Sequence, residues 1–414
     1  MDIEQANRVC IVGMGRSGIA LAELLLKLKK KVMLTDSRNA VSFPVGLLNR
    51  LTGWGVELEL GGHSEEFFKK ADMAVFSPGV DQVNSTAGKF CAALNIPVTG
   101  EIELCARLTS ARIVAITGTN GKSTTTFLTY RALKNKLGRV FLGGNIGVPF
   151  SGFVLKTRPS DIIVLELSSF QLETVVDFKA HVAAITNIEP DHMDRYTRFE
   201  DYVAAKMNIF RNQGPDDWAV LNKNGGYIEQ FRPYIKGKTI FFSDEMANEN
   251  LSCVYRIASL FDVDKKECEK LFASFPGLPH RTQLVRTLEG VDFVNDSKAT
   301  NPASTVWALK NIQSPIILIA GGKDKGVDYR LIVPYMKNVK KLNLFGAAAK
   351  KIEAELGSEV PTQIFSSLED VIAGSRRDAV AGDTVLLSPM CSSFDMFNSY
   401  IERGRRFKEI VLSL

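Results

Sequence analysis

Two stretches of this chain share one grammar: an apolar run, a glycine-rich turn, then helix-forming sequence. They are VCIVGMGRSGIA at 9–20 and RIVAITGTNGKSTTT at 112–126. A buried strand that ends in such a turn hands the chain to a helix, which carries it back across the sheet to a parallel neighbour. VMLTD (32–36) and MAVFSPG (73–79) continue the first series, with the amphipathic IALAELLLKLKK between the first two strands. RVFLGGNIG (139–147), DIIVLELSSFQLE (161–173), HVAAITNIEPDHMDRY (181–196) and DWAVLNKNG (217–225) continue the second. A third runs through SPIILIAGGKDKG (314–326), KKLNLFG (340–346), TQIFSS (362–367) and DTVLLSPMCSSFD (383–395). The expected class is α/β in three domains: Rossmann-like over 1–100, a central P-loop domain over 101–303, and a C-terminal Rossmann-like domain over 304–414.

A chain of 414 residues is too long for one ordinary domain, and 45% hydrophobic content is enough to fill several cores. The net charge of +5 is spread along the sequence, which suits a small anionic substrate and argues against a nucleic-acid partner. KLKKK at 27–31, the densest basic run, reads as a solvated helix end. Six scattered cysteines without a CxxC pair predict free thiols rather than a zinc ribbon or a disulfide framework. The polar MDIEQANR is no signal peptide, and no apolar run approaches the ~20 residues of a membrane span. A cytoplasmic monomer is the expectation.

The segment Gly118-Thr119-Asn120-Gly121-Lys122-Ser123-Thr124 carries the strongest chemical signal. Backbone N–H groups of such a turn cradle phosphate oxygens, aided by the helix N-terminus behind them. Lys122 would reach the β- and γ-phosphates of ATP, and the hydroxyl of Ser123 or Thr124 would hold Mg²⁺. Ile116 stands where the usual phosphate loop has its first glycine. Gly13, Gly15 and Gly18 form a second phosphate cradle, with Asp36 placed after the next strand to meet a ribose hydroxyl. Alone, that pair of features reads as a dinucleotide-dependent dehydrogenase.

Gly118, Glu166 and Asn187 end three strand-like runs, and ligands of open α/β sheets bind beyond such carboxyl ends. Glu166 suits a Mg²⁺ ligand, and so does His192 within Asp191-His192-Met193-Asp194. Oxygen donors with one imidazole favour Mg²⁺ or Mn²⁺ over zinc. Read from spacing alone, Lys206 in DYVAAKMNIF is an exposed helix lysine, and His63 and His181 are structural or exposed. Arg281, after Pro279-His280, fits either a phosphate contact or a loop brace. The polar run Asn295–Asn301 (NDSKATN) fits a plain loop or a nucleotide contact.

Taken in order, TGTNGKST, the glutamate after the next strand, the DH pair, the lysine on the following helix, HR at 280–281 and NDSKATNP resemble the Mur ligases. These are ATP-dependent amide ligases of peptidoglycan precursor synthesis, and the resemblance covers essentially the whole chain. GGNIG (143–147), LELSSFQLE (165–173), EPDHMDRY (189–196) and LLSPMCSSFDMFNSYIERGRRF (386–407) narrow it to the branch that adds D-glutamate to UDP-N-acetylmuramoyl-L-alanine.

The resemblance implies a role for each matching residue. Lys122 and Ser123 would bind ATP phosphates and Mg²⁺, Glu166 would ligate that metal, and His192 a second Mg²⁺. Lys206 matches a lysine carbamylated by CO₂, whose new carboxylate helps hold the second metal. Arg281, Asn295, Lys298, Asn301 and Asp324 match nucleotide contacts. In GGKDKG (321–326) the acidic residue stands one place later than in a GGDGK-type turn. Gly15, Arg16, Ser17, Asp36, Ser37 and Arg38, with Ser77 and Gly79, would hold the UDP end of the substrate. Asn145, Ser168 and Gln171 match its muramoyl-alanine end. Lys325, Ser393, Phe394 and Tyr400 match the D-glutamate site, although Phe394 and Tyr400 occupy positions where other residues occur. A sister Mur ligase, a folylpolyglutamate synthase and a non-ligase P-loop NTPase are the competing readings.

Overall fold

A computed structural model describes residues 3–193, 195–225, 232–275 and 277–414. Asp194, one of the candidate carboxylates, lies outside the described residues. Three sheets carry the chain. The first contains β1 (Arg8–Val12), β2 (Lys31–Asp36), β3 (Glu57–Leu60), β4 (Met73–Phe76) and β5 (Val98–Gly100), all parallel in the order β3-β2-β1-β4-β5. Its order reverses between β1 and β4, which opens a crevice beyond their carboxyl ends, at Gly13 and Ser77.

The second sheet holds β6 (Arg112–Thr117), β7 (Val140–Gly144), β8 (Ile162–Glu166), β9 (Val182–Ile185), β10 (Trp218–Asn222) and β11 (Lys238–Phe242). These strands are parallel in the order β11-β10-β9-β6-β8-β7, so the tips of β8 and β9 flank the turn after β6. Strands β6, β8 and β9 are buried on both faces, as their unbroken apolar sequence requires.

The third sheet runs β12 (Gln283–Leu288), β13 (Val291–Asn295), β17 (Thr384–Leu387), β14 (Ile316–Gly321), β15 (Val339–Phe345), β16 (Thr362–Ile364) from edge to edge. Only β12 is antiparallel, forming a hairpin with β13. This sheet therefore begins at Gln283, ahead of the boundary drawn at 303. The reason is packing: Val291 and Phe293 are buried in one core with Ile317, Ile319, Phe345 and Leu387.

The chain divides into two compact units: residues up to 188 together with 202–273, and residues 189–201 together with 274–414. Within the first unit, one apolar core joins Leu21, Leu25 and Val75 of the first sheet's layer to Ile102, Leu104, Phe150 and Ile163 of the second. Two buried glutamates on the connecting helix Glu101–Ala106 reinforce that junction. Glu101 Oε1 accepts from the N–H (3.0 Å) and hydroxyl (2.7 Å) of Ser151. Glu103 accepts from the N–H groups of Val176, Asp177 and Phe178. All six cysteines are free and buried. Among the described residues, no helix is long and apolar enough to cross a membrane.

Candidate functional site

The first cradle is assembled around Asp36. Its Oδ2 accepts from the Met14 N–H at 2.7 Å, and Arg38 grips both oxygens, with Nε at 2.9 Å and Nη2 at 2.8 Å. Burial pushes the carboxyl up, but the bonds from Arg38 and Met14 outweigh it and hold the group below the usual carboxylate range. The Arg38 guanidinium also lies over the Phe43 ring at 4.6 Å. Ser77 Oγ donates to the Gly13 carbonyl at 2.9 Å, linking the tips of β4 and β1. Helix Arg16–Lys27 starts directly after the turn, so Gly15, Arg16 and Ser17 sit at its positive end. A Cβ at Gly18 would overlap the Gly13 carbonyl oxygen, so only glycine lets helix and turn approach this closely. Ser37 and Gly79 are exposed beside the crevice.

The second cradle follows β6. Gly121 has φ +79°, the left-handed conformation that starts helix Lys122–Leu137. The turn is pinned to the tip of β9: the N–H groups of Thr119 and Asn120 donate to the Asn187 carbonyl (2.9 Å) and to its Oδ1 (2.8 Å). Thr186 Oγ1 donates to the Asn120 carbonyl at 2.6 Å. Lys122 folds back so that Nζ donates to the Gly118 (2.9 Å) and Thr119 (2.7 Å) carbonyls. Ser123 is buried in the first helical turn, with Thr124 following it.

Lys206 corrects the residue-level expectation. It is 1% exposed in the last turn of helix Phe199–Met207. Its Nζ donates to the same Gly118 carbonyl at 2.7 Å and lies 4.4 Å from the centre of the Tyr202 ring. A pattern of alanines around a lysine cannot reveal that the facing surface is a backbone turn. Glu166, also 1% exposed, accepts from Asn145 Nδ2 at 2.7 Å through Oε1, while its buried Oε2 has no hydrogen-bond partner among the described residues. Leaving such an oxygen unsatisfied costs about 1–3 kcal/mol, more for a charged group, so this atom suits a cation ligand.

Ser168 and Gln171 have a local use. They form a capping box, in which Ser168 Oγ accepts from the Gln171 N–H (3.2 Å) and Gln171 Oε1 accepts from the Ser168 N–H (2.9 Å). Arg16 of the first cradle donates to the Gly147 carbonyl, at the end of the GGNIG turn that carries Asn145.

The second unit gathers the other candidates. Asp191 is buried, with Oδ1 paired to Lys325 Nζ at 3.1 Å and Oδ2 accepting from Asn301 Nδ2 at 2.9 Å. Burial pushes its carboxyl up, but Lys325 and His192 outweigh that and hold it well below the usual range. His192 takes a left-handed backbone (φ 57°), and its Nε2 stands 3.7 Å from Asp191 Oδ2. Asn301 also caps helix Pro302–Asn311 by accepting from the Ser304 N–H at 2.8 Å, a bond worth about 1 kcal/mol. Asn295 Nδ2 donates to the Gly404 carbonyl at 2.7 Å. Arg281 Nε is buried without a hydrogen-bond partner among the described residues, which favours the phosphate alternative over a simple loop brace. Burial raises the neighbouring Asp296 to about 7, although Ser388 Oγ and the Thr282 N–H donate to it.

Lys298 lies over the Tyr400 ring at 5.3 Å. Ser393 is buried, whereas Phe394 is 69% exposed. Asp324 has both oxygens engaged locally, by Tyr329 Oη (2.8 Å) and by Lys351 Nζ (2.9 Å). Two residues absent from the sequence reading are Tyr329 and Arg403, both 0% exposed. Arg403 donates to Ser297 Oγ (3.0 Å) and to the carbonyls of Ser297 (2.9 Å) and Cys391 (3.1 Å), bracing two of the candidate loops. The terminal helix Tyr400–Ser413 carries three arginines, Arg403, Arg405 and Arg406, and nothing in their local pattern singles out the buried one.

Comparison with known proteins covers all three sheets. Residues 7–100 match the Mur ligase MurD-like N-terminal domain, 116–277 the Mur ligase middle domain, and 280–391 the Mur ligase glutamate ligase domain. The UDP-N-acetylmuramoylalanine--D-glutamate ligase of Caldanaerobacter subterraneus subsp. tengcongensis is 37% identical, with 100% of both chains covered. That of Salinibacter ruber is 39% identical over 100% of this chain and 99% of its own. Among solved structures, the UDP-N-acetylmuramate-alanine ligase MurC of Thermotoga maritima superposes with a TM-score of 0.61 at 17% identity, covering 98% of this chain and 99% of its own. The MurF ligase of Thermotoga maritima in complex with ADP gives 0.60 at 15% identity, covering 100% and 97%. These last two likenesses speak to the fold.

Proposed function

The chain belongs to the Mur ligase family, and on that premise we propose that its two glycine cradles and its third domain divide one ligation among them. The protein is an ATP-dependent ligase that adds D-glutamate to UDP-N-acetylmuramoyl-L-alanine in peptidoglycan precursor synthesis. The glycine turn at 13–18 then serves the diphosphate of a UDP-sugar, not a hydride carrier. Asp36, Ser37 and Arg38, with Ser77 and Gly79, take its uridine end, and Asn145, with Ser168 and Gln171 at their capping box, lies toward the muramoyl-alanine end.

In the reaction, the alanine carboxylate attacks the γ-phosphorus of ATP, the bond to ADP breaks, and an acyl phosphate forms. The amine of D-glutamate then attacks the acyl carbon, and inorganic phosphate leaves from the tetrahedral intermediate. The first step brings two anions together, so the site must supply positive charge before it supplies anything else. N–H groups from Gly121 to Thr124, at the start of the helix, cradle the phosphates, and Lys122 swings from its two carbonyls to the transferring phosphoryl group. Bound Mg²⁺ supplies further charge neutralisation on the phosphoryl oxygens. Ser123 and Glu166 are its proposed ligands, which fits the unsatisfied Glu166 Oε2. His192 and a carbamylated Lys206 are the proposed ligands of a second Mg²⁺. Arg281, with its unpartnered Nε, is assigned to ATP phosphate, and Asn295, Lys298 and Asn301 to the nucleotide. Lys325, Ser393, Phe394 and Tyr400 are assigned to D-glutamate. A cytoplasmic monomer suits water-soluble nucleotide substrates.

The observation that carries this reading is the meeting of two lysine ammoniums on the Gly118 carbonyl, in the same cradle as an unsatisfied carboxylate. The test is phosphate release from ATP with UDP-N-acetylmuramoyl-L-alanine and, in turn, D-glutamate, meso-diaminopimelate and L-lysine. Turnover with D-glutamate is expected. Turnover only with one of the other amines would transfer the chain to a sister branch.

A further inference from the structure

The shifted acid of GGKDKG has a consequence for the loop that carries it. Asp324 Oδ1 accepts from the Tyr329 hydroxyl (2.8 Å) and from the Lys325 N–H (2.9 Å), and Oδ2 accepts from Lys351 Nζ (2.9 Å). Lys351 also donates to the Val327 carbonyl at 3.0 Å and lies over the Tyr329 ring at 5.2 Å. The Tyr329 N–H is itself fixed, donating to Glu355 Oε2 at 2.8 Å. Behind the loop, Tyr329 Oη stands 3.0 Å from Cys391 Sγ, on the segment leading to Ser393. The two segments are zipped by reciprocal backbone bonds, Lys323 N–H to the Ser392 carbonyl at 2.9 Å and Ser392 N–H to the Lys323 carbonyl at 3.2 Å.

We propose that the buried Tyr329 hydroxyl, acting through Asp324 and Cys391, is a positioning group that aims Lys325 and Ser393 at D-glutamate; this rests on the assignment of those two residues to that substrate. The hydroxyl has one proton, and its direction follows from its neighbours. Burial pushes the Cys391 thiol up to about 12, so sulfur keeps its hydrogen and donates to the phenol oxygen. The phenol proton then points to Asp324, whose carboxyl stays below the usual range: burial opposes ionisation, but Lys351 and Tyr329 outweigh it. The chain is therefore Cys391 S–H to Tyr329 O–H to the Asp324 carboxylate. It ties both substrate-facing segments to one rigid ring and fixes the backbone from which Lys325, its Nζ paired with Asp191 Oδ1 at 3.1 Å, is presented to D-glutamate. Asp324 thereby acts within its own loop, which differs from the nucleotide contact implied by resemblance.

Tyr329→Phe deletes the hydroxyl and leaves the ring in the core. In the full-length enzyme it should raise KM for D-glutamate about tenfold, with KM for ATP and for UDP-N-acetylmuramoyl-L-alanine within twofold of wild type. Asp324→Asn should give the same split, and the double variant should be no worse than the poorer single, because both remove one linkage. Lys325→Met is the reference and should raise KM for D-glutamate about a hundredfold. If Lys325→Met raises it and both Tyr329→Phe and Asp324→Asn leave it unchanged, the positioning role is overturned and the site assignment stands. If all three KM values rise together with a lower melting temperature, Tyr329 is a fold determinant only, and the inference is again overturned. An unchanged D-glutamate KM in Lys325→Met would overturn the site assignment itself.

Discussion

The chain contains two strand–glycine–helix cradles, and their differences are more informative than their likeness. At Gly13–Gly18 the charged groups are already matched: Asp36 holds the Met14 N–H and is itself held by Arg38. At Gly118–Thr124 the arrangement differs: Lys122 and Lys206 both donate to the Gly118 carbonyl, and Glu166 Oε2 has no hydrogen-bond partner among the described residues. The first arrangement suits a ligand that must be held and left chemically unchanged. The second gathers two ammoniums and an unsatisfied carboxylate oxygen where the charge of a ligand shifts during reaction, and preorganised electrostatics give the largest rate effects there. Two loops with one backbone grammar thus separate into a handle and an engine through the side chains that surround them.

Substitutions in the second cradle should therefore act mainly on kcat. Lys122→Ala is expected to lower kcat about 10³-fold or more while leaving KM for the UDP-sugar within threefold. A kcat within tenfold of wild type would mean that Lys122 does not reach the phosphoryl group. Glu166→Gln should cost about 10²-fold and raise the Mg²⁺ concentration for half-maximal rate, read from a magnesium titration. Unchanged magnesium dependence would separate Glu166 from the metal. Lys206→Ala should also lose about 10²-fold and recover part of it with added acetate or formate, which can stand in for the carbamate. Absence of rescue, with activity near wild type, would remove the carbamate assignment.

Legibility followed the same division. Both cradles were readable because an apolar strand, positive-φ glycines and a helix start leave local marks in the sequence. The hairpin at 283–295 was not, because its turn uses Glu289 at φ 50° before Gly290 at φ 78°, a conformation that glutamate does not advertise. Its run VDFVN breaks alternation after Phe293, where the buried Val294 follows, and is too short to place in the third sheet from periodicity alone. Lys206, Tyr329 and Arg403 share a different obstacle. Each is defined by partners far away in sequence, such as Gly118, Cys391 or Ser297, and no spacing rule encodes those contacts. The family resemblance supplied Lys206, while Tyr329 and Arg403 emerged only from their hydrogen bonds.

Perturbing the first cradle should move binding and stability, with little effect on chemistry. Gly18→Ala forces a methyl group against the Gly13 carbonyl, so it should destabilise by about 1–3 kcal/mol and raise KM for the UDP-sugar about tenfold at unchanged kcat. Asp36→Asn should have the smaller effect, about 1–2 kcal/mol, because Arg38 is half-exposed and its bonds are partly screened. Its pH dependence distinguishes the two. The folded-state pKa of Asp36 lies below its unfolded value, so the stability it contributes is complete above about pH 4 and is lost as pH falls through the folded value. The melting-temperature deficit of Asp36→Asn should therefore be full at pH 7 and shrink toward pH 3, whereas that of Gly18→Ala, a steric effect, should persist at both. A deficit for Asp36→Asn that stays constant over this range would mean that the carboxylate charge does not hold the turn, and the contrast between a charge-matched handle and a charge-bearing engine would lose its first half.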